Sequence, residues 1–264
     1  MPTGEVAIVT GATKPRGLGR SIAVGFARAG VDVAVAGRPK SEAGLRAVAD
    51  EVASLGVRSH VLLADMTDRP AIEEGVQQTI NTLGRVDYLV NNAGVGFGSA
   101  VLRENDDRAW EMNWAVNVLG TAAFCQAVLP NMVERGSGSI VSIASTAGLG
   151  ASPGMPYPYT ATKHALVGFT KQLALEFGPS GVRANVVAPG AINTDMLQKA
   201  YAAIAEAEGI TVDEAAAMEN SGIALRRPAE PDEIASVVVS VALPGSSYLT
   251  GAAIPVAGGM IPGL

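Results

Sequence analysis

Short apolar runs, rich in β-branched residues, alternate with longer stretches of helical character along almost the whole chain. No other feature of the sequence limits the possible folds as much. Seven of these runs have the length and composition of buried strands, at residues 6–10, 32–36, 60–64, 86–91, 138–143, 183–188 and 253–256. Most of them are apolar at consecutive positions, which is typical of strands covered on both faces.

Six long helices are expected between these strands, at residues 17–29, 41–55, 68–83, 106–134, 157–177 and 231–243. Strands separated by helices of this length are joined by right-handed crossovers and pair in parallel. The sequence therefore predicts an α/β fold with one doubly wound, parallel, seven-stranded sheet of the Rossmann type and helices on both faces.

Residues 1–264 are expected to form a single domain, because no linker, low-complexity tract or repeat divides them. Residues 191–227 differ from the rest, since they are rich in Ala and Glu and contain no candidate strand. We expect one or two short helices there. Ligands of open parallel sheets bind at the carboxyl ends of the strands, so this insertion is a candidate substrate lid.

The composition excludes several classes of function. A single cysteine, Cys125, rules out a disulfide framework, and with only two histidines the chain offers no usual zinc site. The net charge of −6 and the lack of a basic stripe argue against nucleic-acid and anionic-membrane partners. The N-terminus enters the first strand without a signal sequence, and no membrane span is expected. We therefore predict a cytoplasmic protein without a bound metal.

A glycine-rich turn connects the first strand to the first helix. It contains Gly11, Gly17 and Gly19, and Leu18 begins the helical run. Glycines at such a turn allow backbone N–H groups to approach a pyrophosphate at the helix N-terminus. Glycine clusters also form ordinary tight turns, but the required strand before and helix after are both expected here.

Tyr159 and Lys163 form a second candidate motif. Residues four apart share one face of a helix, and this pair begins the helix after the fifth strand. Free tyrosine has a pKa of about 10, and a nearby ammonium lowers it toward neutral pH, where the phenol becomes a useful acid–base group. Tyr157 is a rival, but Ala161 and not a lysine follows it at the same spacing, so Tyr157 is assigned to the pocket wall.

These features resemble the short-chain dehydrogenase/reductase family, in its compact branch that includes 3-oxoacyl-carrier-protein reductases and related ketone reductases. The resemblance continues along the chain, although two extra residues lengthen the turn between Gly11 and Gly17. The matching segments are Asp65 after the third strand, Asn91-Asn-Ala-Gly94, Asn117-Val-Leu-Gly120, Ser145-Thr-Ala-Gly148, Asn185 to Gly190, and Thr194.

The resemblance implies an enzyme that moves a hydride between a nicotinamide cofactor and a carbonyl or alcohol. It implies four catalytic residues: Tyr159 as acid and base, Ser145 as donor to the substrate oxygen, Lys163 as modulator of Tyr159, and Asn117 as holder of a water that links Lys163 to bulk solvent. The expected cofactor contacts are Gly11, Arg16, Gly17, Leu18, Gly19, Arg38, Asp65, Met66, Asn91, Ala93, Gly94, Tyr159, Lys163, Pro189, Gly190, Ile192 and Thr194.

The choice between NADP and NAD depends on the end of the second strand. An NAD-selective site places a carboxylate there, which binds the ribose hydroxyls and repels a 2′-phosphate. This chain has Gly37, followed by Arg38, and Arg16 precedes Gly17. Two guanidinium groups favour NADP. Lys14 and Lys40 are further candidates, and an NAD-dependent alcohol dehydrogenase remains the alternative.

The expected substrate pocket is apolar or aromatic, which favours a neutral, hydrophobic carbonyl compound. Its candidate residues are Phe97, Ala147, Met155, Tyr157, Met196, Leu197 and Tyr201. Only Lys199 is basic within residues 191–220, which disfavours an anionic carrier protein as the substrate. The resemblance also implies a homotetramer with subunit contacts at the helices 106–134 and 157–177, and the apolar ending at 258–264 is expected to pack on a neighbouring subunit.

Two other classes of function fit the sequence less well. A serine hydrolase would need a nucleophile elbow, but Ser152 in Gly150-Ala-Ser-Pro-Gly154 lies several residues past the predicted strand, and a P-loop motif is absent. A catalytically idle protein that senses the cofactor could have the same fold. It would not need Asn117, Ser145, Tyr159 and Lys163 together.

Overall fold

A computed structural model describes residues 4–152 and 154–260. Its seven strands form one parallel sheet in the order β3-β2-β1-β4-β5-β6-β7. The strands are β1 (Val6–Thr10), β2 (Asp32–Gly37), β3 (Ser59–Leu63), β4 (Tyr88–Asn91), β5 (Gly138–Ile143), β6 (Val182–Pro189) and β7 (Ala253–Val256). The predicted fold class is confirmed.

Helices cover both faces of this sheet. They are α1 (Leu18–Arg28), α2 (Glu42–Ser54), α3 (Arg69–Leu83), α4 (Asp107–Asn113), α5 (Gly120–Glu134), α6 (Tyr157–Phe177), α7 (Asp195–Glu208), α8 (Val212–Asn220) and α9 (Pro231–Ala242). Alternate residues of β1 point to opposite faces. Ala7 and Val9 pack in the core that includes α1, α2 and α9, whereas Val6 and Ile8 pack in the core of α3, α5 and α6. The continuous apolar runs follow from this double covering.

The predicted helix 106–134 contains an unexpected change of winding. Asp106 caps α4, since its side chain accepts a 2.8 Å hydrogen bond from the N–H of Ala109. Between α4 and α5 the chain forms a π-helix, Trp114–Leu119, so the helical segment is continuous but has a wider turn in its middle. π-Helical turns are rare and often mark functional sites.

Strand β4 begins two residues later than expected. The N–H of Val86 donates to the Asn131 side chain at 3.1 Å instead of to a neighbouring strand. The carboxylate of Asp87 accepts from the N–H of Val6 at 2.8 Å and also pairs with Arg85 and Arg135. A side-chain bond thus replaces the sheet ladder at Val86, whereas the backbone of Asp87 still bonds to Val6 at 2.8 Å and to Ser139 at 2.9 Å.

The insertion at 191–227 forms α7 and α8, as expected for this segment. A short parallel bridge between Ile192 and Ala229 brings its two ends together. The N–H of Asn193 donates to the carbonyl of Ala229 at 2.8 Å. The N–H of Ala229 donates to the carbonyl of Ala191 at 3.0 Å. The insertion therefore leaves and rejoins the sheet region at one place, next to the carboxyl end of β6.

The helical run from Asp107 to Glu134 is long and apolar enough to cross a membrane by length and composition alone. In the structure 61 % of its most apolar window is buried inside the protein. This burial is the behaviour of a core helix. Of the apolar C-terminal ending, residues 261–264 lie outside the described residues.

Candidate active site

The carboxyl end of β1 approaches its neighbours closely. Gly11 has a positive φ of 73°, and its N–H donates to the carbonyl of Ala36 at 2.8 Å. A Cβ at Gly11 would lie 2.9 Å from the Cα of Ala93, and one at Gly19 would lie 2.7 Å from the carbonyl oxygen of Gly11. Both glycines are therefore needed for the turn itself to pack against the end of β4.

The N-terminus of α1 opens at this turn. Gly17 is its N-cap and has no side chain that could accept from the first N–H groups of the helix. Leu18 is buried and anchors the first turn in the core, while Lys14 and Arg16 are exposed beside it. An uncapped helix N-terminus with two neighbouring cations fits an anionic group such as a pyrophosphate.

The lengthened turn packs against the end of β2 and the start of α2. A Cβ at Gly37 would lie 2.7 Å from the Cγ2 of Thr13, and one at Gly44 would lie 2.3 Å from the carbonyl oxygen of Thr13. Thr13 thus fills the space beside Gly37. The next residue after Gly37, Arg38, is exposed. The carboxylate that NAD-selective sites place at this strand end has no counterpart at Gly37.

Arg16 also faces the insertion. Its Nε lies 3.7 Å from the Oδ1 of Asp195, the first residue of α7, and both side chains are largely exposed. The predicted cofactor turn and the predicted lid are therefore adjacent.

The end of β4 is held by a residue that the sequence analysis did not single out. The amide of Asn92 donates to the carbonyl of Thr10 at 2.8 Å, and the Oγ1 of Thr10 accepts from the N–H groups of Asn92 and Ala93 at 3.0 Å each. Asn91 is buried, and its amide donates to the Sγ of Cys125 at 3.4 Å. The sequence signal for Asn92 was its place in the segment Asn91-Asn-Ala-Gly94.

Cys125 is buried, as expected, and burial raises the pKa of its thiol to about 12. A thiol with this pKa is protonated at neutral pH and is a poor nucleophile.

At the end of β3, Asp65 is partly engaged by its own turn. Its Oδ1 accepts from the N–H of Thr67 at 3.0 Å and from the Oγ1 of Thr67 at 2.8 Å. A Cβ at Gly120 would lie 2.5 Å from the carbonyl oxygen of Met66, so the start of α5 abuts this turn. The predicted contacts Asp65 and Met66 thus lie at the carboxyl edge of the sheet.

Lys163 is the best-defined side chain of the site. It is 5 % exposed, and its Nζ donates to the carbonyl oxygen of Ile143 at 2.8 Å. Burial lowers the pKa of this lysine to about 8, because an ammonium loses hydration in the interior. A Cβ at Gly148 would lie 2.6 Å from the carbonyl oxygen of Lys163, so α6 packs directly on the turn that follows β5.

Tyr159 lies between Lys163 and Ser145. Its ring centre is 5.6 Å from the Nζ of Lys163, and its hydroxyl is hydrogen-bonded to the Ser145 side chain. Burial raises the pKa of Tyr159, and the bond to Ser145 acts in the opposite direction. Tyr157 is exposed instead, and its N–H donates to the carbonyl of Ser99 at 3.2 Å.

Asn117 lies within the π-helix and is completely buried. Its Oδ1 accepts from the N–H of Val95 at 2.8 Å, and its amide donates to the carbonyl of Val95 at 2.9 Å and to the Oγ1 of Thr162 at 3.0 Å. The hydroxyl of Thr162 in turn donates to the carbonyl of Tyr159 at 2.9 Å. Thr162, which the sequence analysis missed, thus connects Asn117 to the start of α6.

The end of β6 contributes the remaining predicted contacts. The N–H of Gly190 donates to the carbonyl of Val256 at 3.2 Å, which holds the chain against β7 after Pro189. Thr194 caps α7, and its N–H donates to the carbonyl of Ile192 at 2.7 Å. These residues link the sheet edge to the insertion.

The predicted pocket residues divide into two groups. Phe97, Met155, Tyr157 and Met196 are exposed, and Leu197 is half-buried. Ala147 and Tyr201 are buried, and the hydroxyl of Tyr201 donates to the Oδ1 of Asn220 at 3.0 Å. Tyr201 thus ties α7 to α8.

Within residues 4–152 and 154–260, no group of three or more His, Cys, Asp or Glu side chains could hold a metal ion. Ser152 follows the 3₁₀ turn Thr146–Gly148 in a loop, away from the end of β5. His164 is exposed on α6, with its Nδ1 3.0 Å from the carbonyl oxygen of Thr160. The Ser152 position lacks the strand-to-helix turn that a hydrolase elbow requires.

Comparison with known proteins gives the same family over most of the chain. The family model for short chain dehydrogenases matches residues 5–205. The chain is 36 % identical over 258 residues to a 3-oxoacyl-[acyl-carrier-protein] reductase of Aquifex aeolicus, with 97 % of each chain covered. It is 37 % identical over 273 residues to a cyclohexanol dehydrogenase of Rhodococcus sp. strain TK6, covering 97 % of this chain and 96 % of the other.

Among solved structures, the chain resembles a variant actinorhodin polyketide ketoreductase crystallised with NADPH. The TM-score is 0.91 at 35 % identity, and the alignment covers 99 % of each chain. The family match, these relatives and the structural likeness agree: the chain belongs to the short-chain dehydrogenase family.

Proposed function

We propose that this protein is an NADP(H)-dependent oxidoreductase that interconverts a ketone or aldehyde and an alcohol. The observation that carries the proposal is the contact of the Tyr159 and Ser145 hydroxyls beside the buried ammonium of Lys163. Two hydroxyl groups that meet at one point can bind one substrate oxygen, and a cation nearby stabilises negative charge that develops there.

A nicotinamide cofactor would be held by the glycine-rich turn before α1 and by the ends of β4 and β6, and when bound it would supply the hydride for carbonyl reduction. Tyr159 donates its phenolic proton to the oxygen that becomes negative, and Ser145 holds that oxygen by a preorganised hydrogen bond. Burial favours the neutral phenol, which is the form that an acid needs. In alcohol oxidation Tyr159 accepts the proton instead.

Lys163 and Asn117 have supporting roles in this proposal. The charge of Lys163, held by the carbonyl of Ile143, stabilises the phenolate of Tyr159 after proton transfer. Asn117 holds the Val95 backbone and Thr162, and through Thr162 the backbone of Tyr159. We assign to Asn117 the proton path from Lys163 to solvent that the family resemblance implies.

The cofactor proposal is NADP(H). Arg38 is exposed directly after β2, Arg16 is exposed in the turn before α1, and Gly37 offers no carboxylate to repel a 2′-phosphate. The likeness to a ketoreductase crystallised with NADPH supports this choice. The similarity to a cyclohexanol dehydrogenase supports the alternative, an NAD-dependent alcohol dehydrogenase.

The substrate we propose is a neutral, hydrophobic carbonyl compound. The exposed members of the predicted pocket are Phe97, Met155, Tyr157 and Met196. In the insertion, Lys199 is the sole cation between residues 191 and 220, so an anionic carrier protein finds little positive charge there. A small-molecule ketone fits this surface better than a carrier-bound substrate.

For the assembly and the cell compartment we propose a homotetramer in the cytoplasm, built from one domain whose insertion at 191–227 acts as a lid. Large apolar side chains are exposed on the helices predicted to meet other subunits, including Trp114 and Leu119 on the π-helix and Leu175 on α6. Exposed apolar residues in such numbers support burial between subunits. The mass in solution by light scattering tests this.

The experiment for the function is a panel of neutral ketones and aldehydes with NADPH and with NADH, followed by absorbance at the nicotinamide band. We expect turnover with NADPH and several hydrophobic ketones. A clear preference for NADH would overturn the cofactor assignment. Tight NADPH binding without turnover of any substrate would favour the cofactor-sensing alternative and contradict the enzyme proposal.

A further inference from the structure

A second buried asparagine lies one turn before Asn117. Asn113 is the last residue of α4 and has no solvent exposure. Its amide donates to the carbonyl of Phe97 at 2.9 Å and to the carbonyl of Ala109 at 2.7 Å. The second bond is local to the helix, whereas the first reaches the loop that follows β4. Its Oδ1 has no hydrogen-bond partner in the part of the chain that the structure describes.

The two asparagines hold neighbouring points of the same loop. Asn117 binds the N–H and carbonyl of Val95, and Asn113 binds the carbonyl of Phe97. Asn113 and Asn117 lie about one turn apart on one continuous helical run, and Val95 and Phe97 lie two residues apart in the loop. The two side chains therefore hold the loop on either side of Gly96.

The residue between these two points contacts the proposed acid. A Cβ at Gly96 would lie 3.3 Å from the Cδ2 of Tyr159, so the ring rests against the bare backbone of Gly96. On the same segment, a Cβ at Gly94 would lie 3.5 Å from the Nζ of Lys163. The two asparagines thus bind the loop at Val95 and Phe97. Gly96 of the same loop contacts Tyr159, and Gly94 lies near Lys163.

From this arrangement we infer that Asn113 is a positioning residue for the reaction. By fixing the Phe97 carbonyl it sets the surface against which the Tyr159 ring rests, and it sets where the Phe97 side chain stands at the pocket mouth. This inference rests on the proposed function of Tyr159. It adds a residue that neither touches the substrate nor belongs to the four proposed catalytic side chains.

The test compares Asn113→Leu with Asn105→Leu as its matched control. Asn105 holds the outer part of the same loop, since it accepts from the N–H of Ser99 at 2.8 Å and donates to the carbonyl of Val101 at 2.9 Å. Leucine has the same number and branching of side-chain heavy atoms as asparagine but makes no hydrogen bond. Both variants are measured for kcat and KM with a small and a bulky ketone, and for NADPH affinity, in parallel with Tyr159→Phe.

We expect Asn113→Leu to lower kcat about tenfold or more, because misplacement of a reacting group by a fraction of an ångström is costly. The bulky ketone should lose more than the small one, since Phe97 moves. The NADPH affinity of Asn113→Leu should stay within about twofold, because Asn113 binds the loop after β4 and not the proposed cofactor turn. Asn105→Leu should keep kcat within about threefold, because Asn105 holds the outer part of the loop and not the segment at Tyr159.

Asn113→Asp gives a second test that does not depend on how well leucine folds. A carboxylate cannot donate to the Phe97 carbonyl, but the protonated acid can. Burial raises the pKa of such a carboxyl group. We therefore expect the kcat of Asn113→Asp, relative to the wild-type enzyme, to recover as the pH is lowered, and Asn113→Leu to show no such recovery.

Two outcomes would overturn the inference. One is that folded Asn113→Leu and Asn113→Asp keep the wild-type kcat and the wild-type ratio between the two ketones. The other is that Asn105→Leu loses as much kcat as Asn113→Leu, which would make the effect one of general loop packing. If Tyr159→Phe is inactive in the same assay, the proposed function stands in both cases. If Tyr159→Phe remains active, the proposed function itself fails.

Discussion

The ammonium nitrogen of Lys163 donates a 2.8 Å hydrogen bond to the carbonyl oxygen of Ile143. Ile143 ends β5, and Ser145 follows two residues later. Lys163 itself lies on α6, four residues after Tyr159. This bond therefore joins the end of β5, which Ser145 follows, to the helix that carries Tyr159, and it helps to hold the two hydroxyl groups close together.

The buried charge of Lys163 predicts a pH dependence of stability. The pKa is about 8 in the folded protein, and the ordinary value is 10.5. The folded state therefore binds fewer protons between these pH values, and stability rises with pH there. Below pH 8 the full cost of the buried ammonium is present, at about 3 kcal/mol.

Lys163→Met removes this titration. We expect the free energy of unfolding of the wild-type protein, minus that of Lys163→Met, to increase by about 3 kcal/mol from pH 8 to 10.5 in urea titrations. Subtracting the variant cancels other groups that titrate in this range. Parallel stability curves for the two proteins would mean that the lysine is hydrated in the folded state.

Ser145→Ala should change both rate and pH profile. Loss of one preorganised donor to a developing oxyanion costs about 10²–10³ in kcat. The bond to Ser145 lowers the pKa of Tyr159, so its removal should raise that pKa. The pH at which ketone reduction declines should then move upward. A downward shift, or an unchanged kcat, would show that Ser145 does not contact the reacting oxygen.

Arg16 and Arg38 should determine the preference for the 2′-phosphate. The double change to alanine should lower kcat/KM for NADPH about tenfold to a hundredfold, because charge-assisted bonds to phosphate are lost. The value for NADH should change little. Gly37→Asp is a poorer test, since a Cβ there would lie 2.7 Å from the Cγ2 of Thr13 and would displace the turn. Equal losses with both cofactors would contradict the assignment.

Gly148 should tolerate no side chain. A Cβ there would lie 2.6 Å from the backbone oxygen of Lys163, whereas one at Gly178 would meet nothing within 4 Å. Gly148→Ala should therefore lower stability and displace the start of α6, with a fall in kcat. Gly178→Ala, at the end of the same helix, should be neutral or gain up to about 1 kcal/mol. Thermal melts compare the two; similar melting temperatures would refute the close contact.

The parallel seven-stranded sheet was predictable because it depends on regularities that run along the whole sequence. Runs that are apolar at every position require burial on both faces, and helices between them require parallel crossovers. The π-helix was not predictable in this way. Within it, Asn117 binds the backbone of Val95, a residue 22 positions away, and local helical periodicity gives no sign of that contact.

The residues of the candidate site also differ in how well they could be predicted from the sequence. Tyr159, Lys163 and Ser145 could be named because their spacing and position after β5 have a chemical reason. Asn92 and Asn113 were missed because each binds backbone groups of a distant segment, and Thr162 was missed because its partner is the side chain of the distant Asn117. The role expected for Tyr201 depended on how the insertion folds, and the structure buries this residue between α7 and α8.

The most direct test of the central claim is the turnover of Tyr159→Phe with NADPH and an accepted ketone. Phenylalanine keeps the ring that contacts Gly96 but lacks the hydroxyl that meets Ser145. We predict that kcat falls by about 10²–10⁴-fold, the range typical of a lost general acid, while NADPH affinity and melting temperature stay near those of the wild-type protein. Turnover close to the wild-type rate in this folded, NADPH-binding variant would contradict the assignment of Tyr159 as the catalytic acid.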